Sequence, residues 1–304
     1  MTSPKSLSDA LKKVVLNILR IDEQFDEIKI NQGLVLSSLN ENKKSTNLTD
    51  YEFKVFSQWG EDGIIQFLSK SIAIRNKTFI EFGVESFVEA NCRFLMTKDN
   101  WSGFVIDGST SNIAKLKKSY FYWKYHIDAV DAFITRDNIN DLLAESGFSE
   151  DLGILSVDID GNDYFVLEAI KTFRPRILIC EYNSVFGAVR KISIPYEPDF
   201  QRSIKHYSNL YFGASLSAIT YLANKKGYSL VGTNSVGGNA FFVRNDLLNE
   251  KVAVLSAEQA YFPSKIRESR DEHGYLSYVT GEKKLQNIKG LPVFNVETKA
   301  IEEL

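Results

Sequence analysis

The chain has 304 residues, 44% of them hydrophobic, enough for a sizeable core in one large domain or a domain with an appendage. Its formal net charge of −3 leaves no electrostatic footprint for nucleic acid, so DNA or RNA is not expected as a partner. Cys92 and Cys180 sit in apolar settings and read as small buried hydrophobes; no run approaches the ~18 apolar residues of a membrane span and no signal-peptide pattern is present, so a cytoplasmic chain is expected.

The first forty residues carry a periodicity of their own. Ser3 and Pro4 suit an N-cap and first helical position, and Leu7, Leu11, Val14, Ile18, Ile21, Phe25, Ile28, Gln32, Val35 and Leu39 then step alternately by four and three. So narrow a stripe predicts a helix in residues 1–45 that self-associates into a coiled coil or bundle, giving a homo-oligomer; packing on the chain's own body is the alternative. Residues 41–50 are polar and read as a linker. The main domain is expected over 46–250, with 251–304 as a C-terminal extension serving as lid or subunit contact.

Phe56-Ser57-Gln58-Trp59-Gly60-Glu61-Asp62-Gly63 precedes an apolar helix pattern. Gln58, Trp59, Glu61 and Asp62 suit a cofactor contact, Gln58 among them; alternatively Asp62 or Ser57 caps the helix and Trp59 fills core. A buried strand follows, closing on Glu81 and Gly83, then a helix over 87–98 and a second strand over 103–106 closing on Asp107. In open α/β sheets ligands bind at the carboxyl ends of strands, where these three residues fall. Asp107 lies 24 residues beyond Gly83, close to the ~20-residue offset at which a carboxylate meets a ribose hydroxyl, which points to an adenosine-bearing cofactor. A dinucleotide loop wants three glycines; here Gly83 stands alone, and Glu85 would repel a diphosphate. Glu81 suits instead a cofactor with an amino group and a positive centre, such as S-adenosylmethionine. A lone glycine also serves simply as a turn.

After Gly108 and Ser109 comes a helix over 112–119 whose lysines read as a solvated face, then a third strand over 123–127 ending in Asp128 and Ala129. A helix over 136–146 leads to a fourth strand over 153–157, closing on Asp158-Ile159-Asp160-Gly161-Asn162-Asp163. Asp163 can cap the helix expected at 164–172, which leaves Asp158 and Asp160 unexplained by capping. A fifth strand over 176–180 closes on Glu181-Tyr182-Asn183. Acids thus stand at four strand ends, which core packing does not predict. Residues 186–212 lose periodicity and should overhang the same edge as an acceptor-binding segment, with His206 in a polar stretch. A helix over 214–226 precedes strands over 228–233 and 239–243, joined too closely for anything but an antiparallel hairpin. A dinucleotide fold would continue βαβ; a terminal hairpin on a parallel sheet is the methyltransferase arrangement.

In order, IEFG, VIDGS, HIDA, LSVDIDGND, ILICEYN and YSLVGTN…NAFFVR make 56–244 resemble the class I S-adenosylmethionine-dependent methyltransferases, and among them the FkbM-like enzymes that accompany polysaccharide and secondary-metabolite pathways. The resemblance implies an α/β, Rossmann-like fold with a mostly parallel seven-stranded sheet, and methylation of a sugar hydroxyl in a glycan or glycosylated precursor. It further implies that Glu81 and Gly83 face the methionine part, Asp107 with Gly108 and Ser109 borders the ribose, Asp128 and Ala129 border the adenine, and Asp158 and Asn91 approach the amino group. The general base for a hydroxyl acceptor is then Asp160, with His206 second and Asn183 orienting. The same acids offer oxygen ligands to Mg²⁺, although cofactor and base roles account for them without a metal. A catalytically silent scaffold assembling partners through the N-terminal coiled coil is the alternative function.

Overall fold

The computed structural model describes residues 21–304; Ser3, Pro4, Leu7, Leu11, Val14 and Ile18 of the expected N-terminal helix lie outside the described residues. In chain order the strands are β1 (Thr78–Phe82), β2 (Ser102–Asp107), β3 (Ile127–Asp131), β4 (Ile154–Val157), β5 (Ile177–Glu181), β6 (Ile192–Ser193), β7 (Tyr228–Thr233), β8 (Asn239–Arg244), β9 (Pro292–Asn295) and β10 (Ile301–Glu303). The main sheet has the order β3-β2-β1-β4-β5-β8-β7. Its first five members are parallel, while β8 runs antiparallel to β5 and β7 antiparallel to β8. This is the expected Rossmann-like α/β sheet ending in a hairpin. The order reverses between β1 and β4, so the crevice at their carboxyl ends is the natural ligand site.

Alternation along the strands supplies both faces of the sheet. Ile80, Phe82, Leu155, Val157, Leu178 and Phe242 enter one core, whereas Phe79, Val105, Ile154, Ile177, Ile179 and Phe241 enter the other. Over these faces lie α1 (Ile21–Glu41), α2 (Glu61–Ser71), α3 (Arg93–Asp99), α4 (Thr110–Lys118), α5 (Tyr120–Lys124), α6 (Ile139–Glu145), α7 (Asp163–Ala169), α8 (Arg202–Lys205), α9 (Leu216–Lys225), α10 (Ala257–Ala260) and α11 (Glu282–Ile288). Among the described residues no helix is long and apolar enough to cross a membrane.

Several expected elements are displaced. The helix placed at 87–98 begins only at Arg93. Before it, Ala90 N donates to Phe56 O at 3.1 Å, and Asn91 N and Cys92 N donate to the Glu81 carboxylate, while Glu85 and Phe87 adopt left-handed backbone. These amides are spent on the body of the protein before an intrahelical ladder can form. The third strand lies four residues later than expected, because Phe121 turns inward from the short helix α5 and Trp123 is 77% exposed on it.

The irregular connection after β5 is folded. Its strand β6 pairs with β9, and β9 with β10, so residues 251–304 return to the main body through a second, three-stranded sheet. At the other end of the chain α1 lies across α2 and α3. Its body-facing positions are Asp26, Gly33 and Ser37, and the apolar seam points away from them. A Cβ at Gly33 would lie 2.6 Å from the Phe94 ring, which explains a glycine in mid-helix.

Candidate functional site

A cleft of about 460 Å³ opens at the carboxyl ends of the central strands. Gln58, Glu81, Gly83, Asn91, Asp107, Gly108, Asp158, Asp160 and Asn183, all singled out from sequence, line it together. The acid-rich wall is thus a real spatial cluster built from β1, β2, β4 and β5.

Most of these residues are fixed before any ligand arrives. The Asp107 carboxylate accepts Glu85 N at 2.7 Å and Ser109 N at 2.8 Å, fastening the β1 loop to the end of β2. Glu81 accepts Asn91 N at 2.7 Å and Cys92 N at 3.0 Å, and the Asn91 amide reaches Ser156 Oγ at 3.1 Å. Burial pushes the Glu81 carboxyl up to about 7 against the pull of those two N–H groups. Gly83 has φ +67, and a Cβ built there would lie 2.9 Å from the Asp158 carbonyl carbon and nearer still to its oxygen. Glycine is therefore needed where the β1 loop crosses the end of β4.

The Trp-Gly-Glu-Asp segment at the start of α2 turns out to be a clasp. Asp62 Oδ2 collects Val55 N, Phe56 N and Ser57 N at 2.7–2.8 Å, and burial raises its pKa to about 6. Glu61 collects Trp59 N and Gly60 N at 2.9 Å each, and takes the side-chain amides of Asn234 and Asn239 from the β7–β8 hairpin. Gln58 and Trp59 are thereby held at the cleft edge, both exposed.

On the β4–β5 side, Asp158, Asp163 and Glu181 place carboxylate oxygens within 4.8 Å of one another. Burial first, and neighbouring carboxylates second, raise Asp158 and Glu181 well above the ordinary carboxyl range. Asp163 is spoken for: it accepts Ile159 N at 2.8 Å and Gly161 N at 3.0 Å, shaping the turn after β4. Glu181 Oε2 is buried and has no hydrogen-bond partner among the described residues. Asp160, with φ +54, forms an ion pair with Arg202, whose guanidinium stacks on Phe212 at 3.8 Å. Asn183 donates to Leu210 O at 2.9 Å and Phe212 O at 3.0 Å and accepts Val185 N at 3.0 Å, so its amide braces the part of the cleft wall formed by Leu210 and Phe212.

Four residues do not reach the cleft lining. Asp128 and Ala129 sit within β3, the first exposed and the second in the core, because the strand runs on to Asp131; beyond it Ala132, Phe133 and Ile134 line the cleft. Ser109 caps α4 by accepting Asn112 N at 3.3 Å. His206 shares a 2.8 Å hydrogen bond with Ser208 Oγ beyond α8, outside the lining, and burial lowers its pKa.

The C-terminal segment supplies lining that the motifs did not reveal. Ser264, Ile266 and Glu268 form part of the wall, and Lys284, 3% exposed, ties them down through Ser264 Oγ at 2.9 Å and Ile266 O. Lysine in an amphipathic helix ordinarily signals solvent, so nothing in the sequence marked it. The lining holds an excess of carboxylates, with Glu81, Glu85, Glu89, Asp107, Asp158, Asp160, Glu181 and Glu268 against Arg202 and Lys284. Such a wall favours a cationic ligand over an anionic one.

No family model matches the chain, and no curated protein matches it. Among solved structures it is similar to TrmK of M. capricolum in complex with S-adenosyl-homocysteine, at 10% identity over 61% of this chain and 71% of that one, TM-score 0.37. It is also similar to the CMeT domain of the citrinin polyketide synthase (12% identity, 60% and 51% coverage, TM-score 0.40) and to an O-methyltransferase family protein from Burkholderia thailandensis (12%, 60% and 57%, TM-score 0.37). The chain spans little more than half the length of the latter two. The fold rests on strand order and direction, not on these distant likenesses.

Proposed function

We propose that the chain is an S-adenosylmethionine-dependent methyltransferase, of the FkbM-like kind, that methylates a sugar hydroxyl in a glycan or glycosylated precursor. The observation that carries this reading is the acid set Glu81, Asp107, Asp158 and Glu181 gathered in one cleft at the switch point of a parallel sheet that ends in an antiparallel hairpin. The cleft volume lies within the ~300–1,000 Å³ range of small-molecule sites, and its carboxylate excess suits a sulfonium cofactor with an amino group. Asp107 and Gly108 would hold the ribose, and residues 132–134 would border the adenine in place of Asp128 and Ala129. Asp158 with Asn91 and Gln58 would receive the methionine end. Glu81 supports this set from behind by fixing Asn91.

Bound there, the cofactor supplies a methyl group already activated for in-line displacement. The chain's part is to position the acceptor and take its proton. Asp160 is engaged by Arg202, whereas Glu181 Oε2 is buried, with the Asp158 carboxyl as its neighbour and no cation paired to it among the described residues. Glu181, sharing protons with Asp158, is therefore the better base for the acceptor hydroxyl, and Asp160 with Arg202 orients the acceptor. As the new oxygen–carbon bond forms and the sulfur–carbon bond breaks, the hydroxyl proton passes to this carboxyl pair. The same oxygens could hold Mg²⁺, which the proposed reaction does not require.

The test is incubation with methyl-labelled S-adenosylmethionine and a panel of neutral mono- and oligosaccharides. Alkali-stable label should appear in the sugar fraction, and Glu181→Gln should lower kcat by ~10²–10⁴-fold while cofactor binding persists. Cofactor binding without transfer to any sugar would refute the acceptor class; absence of cofactor binding would leave the partner-assembling scaffold as the reading.

A further inference from the structure

We propose that α1 is an assembly helix that joins copies of this chain into a parallel, in-register bundle of more than two. One side of α1 is locked to its own protein: Asp26 pairs with buried Arg93 and accepts the Tyr120 hydroxyl at 2.7 Å, Gly33 abuts Phe94, and Asn40 Nδ2 donates to Tyr51 O at 2.7 Å. The seam is on the outside. Phe25, Ile28, Val35 and Leu39 are 54–62% exposed and Ile21 is 41% exposed, although these are the residues that the 3–4 spacing marks as apolar. Packing of the apolar seam on the chain's own body, the alternative raised by the sequence, does not occur in the described part of the helix, which docks through its other face.

Knobs-into-holes packing pairs a face of strict 3–4 spacing with another helix of the same period. Among the described residues no other helix exceeds the eleven residues of α2, so this chain offers such a partner only in a further copy of α1. The described helix has 21 residues, three heptads, against the ~3–4 that specify a coiled coil, and the same spacing runs in the sequence from Leu7. A lipid surface fits less well, because α1 carries Asp22, Glu23, Asp26, Glu27 and Glu41 against Lys29 alone.

Register and number follow from particular positions. With Phe25, Gln32 and Leu39 at a, the d positions are Ile21, Ile28 and Val35, all β-branched, a choice that favours three or four strands over two. Gln32 is the seam's one polar position, and only a parallel, in-register assembly lets each Gln32 amide meet its own counterpart. Each protein body lies on the side of α1 away from the seam, so the bodies would ring the bundle without entering it.

The experiment is the solution mass of the full chain by analytical ultracentrifugation, alongside Phe25→Glu/Val35→Glu and, under mild oxidation, Gln32→Cys. Both glutamates replace exposed side chains, and the native Cys92 and Cys180 are buried, so neither background unfolding nor stray crosslinks should intrude. Expected are a wild-type mass three or four times the 34.5 kDa of one chain, loss of assembly to a single-chain mass in the double variant with unchanged circular dichroism, and disulfide-linked dimers of Gln32→Cys. A monomeric wild type overturns the proposal, including one that instead floats with anionic vesicles. A dimer overturns the reading of the d positions, and assembly without a Gln32→Cys crosslink overturns the parallel register.

Discussion

Replacing Gly83 by alanine tests whether the β1 loop is shaped by a close backbone crossing. Gly83 sits at φ +67 with the Asp158 carbonyl directly behind its missing side chain. An L-residue in left-handed backbone costs ~1–2 kcal/mol. Forcing a methyl group against a neighbouring main chain adds ~1–3 kcal/mol. The sum is about 2–5 kcal/mol, and because the displaced carbonyl belongs to Asp158, ligand binding should suffer as well. Gly147 is the control: its φ is +63, yet no atom lies within 4 Å of a Cβ built there. Gly147→Ala should therefore cost only the conformational ~1–2 kcal/mol and leave the cleft untouched. Urea unfolding of both variants, read by circular dichroism, gives the comparison. If Gly83→Ala costs no more than Gly147→Ala, the crossing does not constrain the loop and the reasoning about Gly83 is wrong.

Three further outcomes are expected. Glu81, Asp62 and Asp163 have folded pKa values of about 7, 6 and 6 against ordinary values of 4.5, 3.8 and 3.8. The stability they contribute is present below the ordinary values and is lost as pH rises through 6–7, by up to about 3 kcal/mol for Glu81. The thermal midpoint should accordingly fall between about pH 5 and about pH 7.5, and less steeply in Glu81→Gln; an identical slope in the variant would contradict this. Asp26→Ala strands the Arg93 guanidinium, whose side chain is 3% exposed, and should destabilise by ~3–5 kcal/mol in urea unfolding, far beyond an ordinary surface change. Asn183→Ala leaves Leu210 O and Phe212 O unpaired, so a loss of ~1–3 kcal/mol per carbonyl is expected, with faster amide exchange over 199–212 as the local signature.

How much of this was legible in the sequence differed by element. Buried strands with an acid or a short turn at their end declared themselves, and the hairpin limits 228–233 agreed with β7, because burial on both faces leaves continuous apolar runs. The β1 loop is not legible: the sequence places a helix over 87–98, but the amides of Ala90, Asn91 and Cys92 are claimed by Phe56 O and the Glu81 carboxylate, partners distant in sequence. β3 slipped because an aromatic cluster, Tyr120 to Tyr125, carries as strong a strand signal as the edge strand itself. The same limit applied to the site. That acids stood at strand ends could be read from spacing, whereas their occupation by backbone N–H groups, the bracing role of Asn183 and the position of His206 off the cleft depend on tertiary placement. Glu268 and Lys284 reach the wall through contacts distant in sequence, Lys265 N donating to Val236 O, Arg270 N to Ser208 O and Lys284 Nζ to Ser264 Oγ.

The cofactor site is tested most directly by calorimetric titration of S-adenosylhomocysteine into wild-type protein and Asp107→Ala, with circular dichroism to verify that the variant stays folded. Wild type should bind with one site per chain, and the variant should be weaker by ~1.5–3 kcal/mol, as for loss of a hydrogen bond to a charged group. Well-folded wild type that gives no heat up to about millimolar ligand, a threshold near −4 kcal/mol of binding free energy, would contradict the methyltransferase reading.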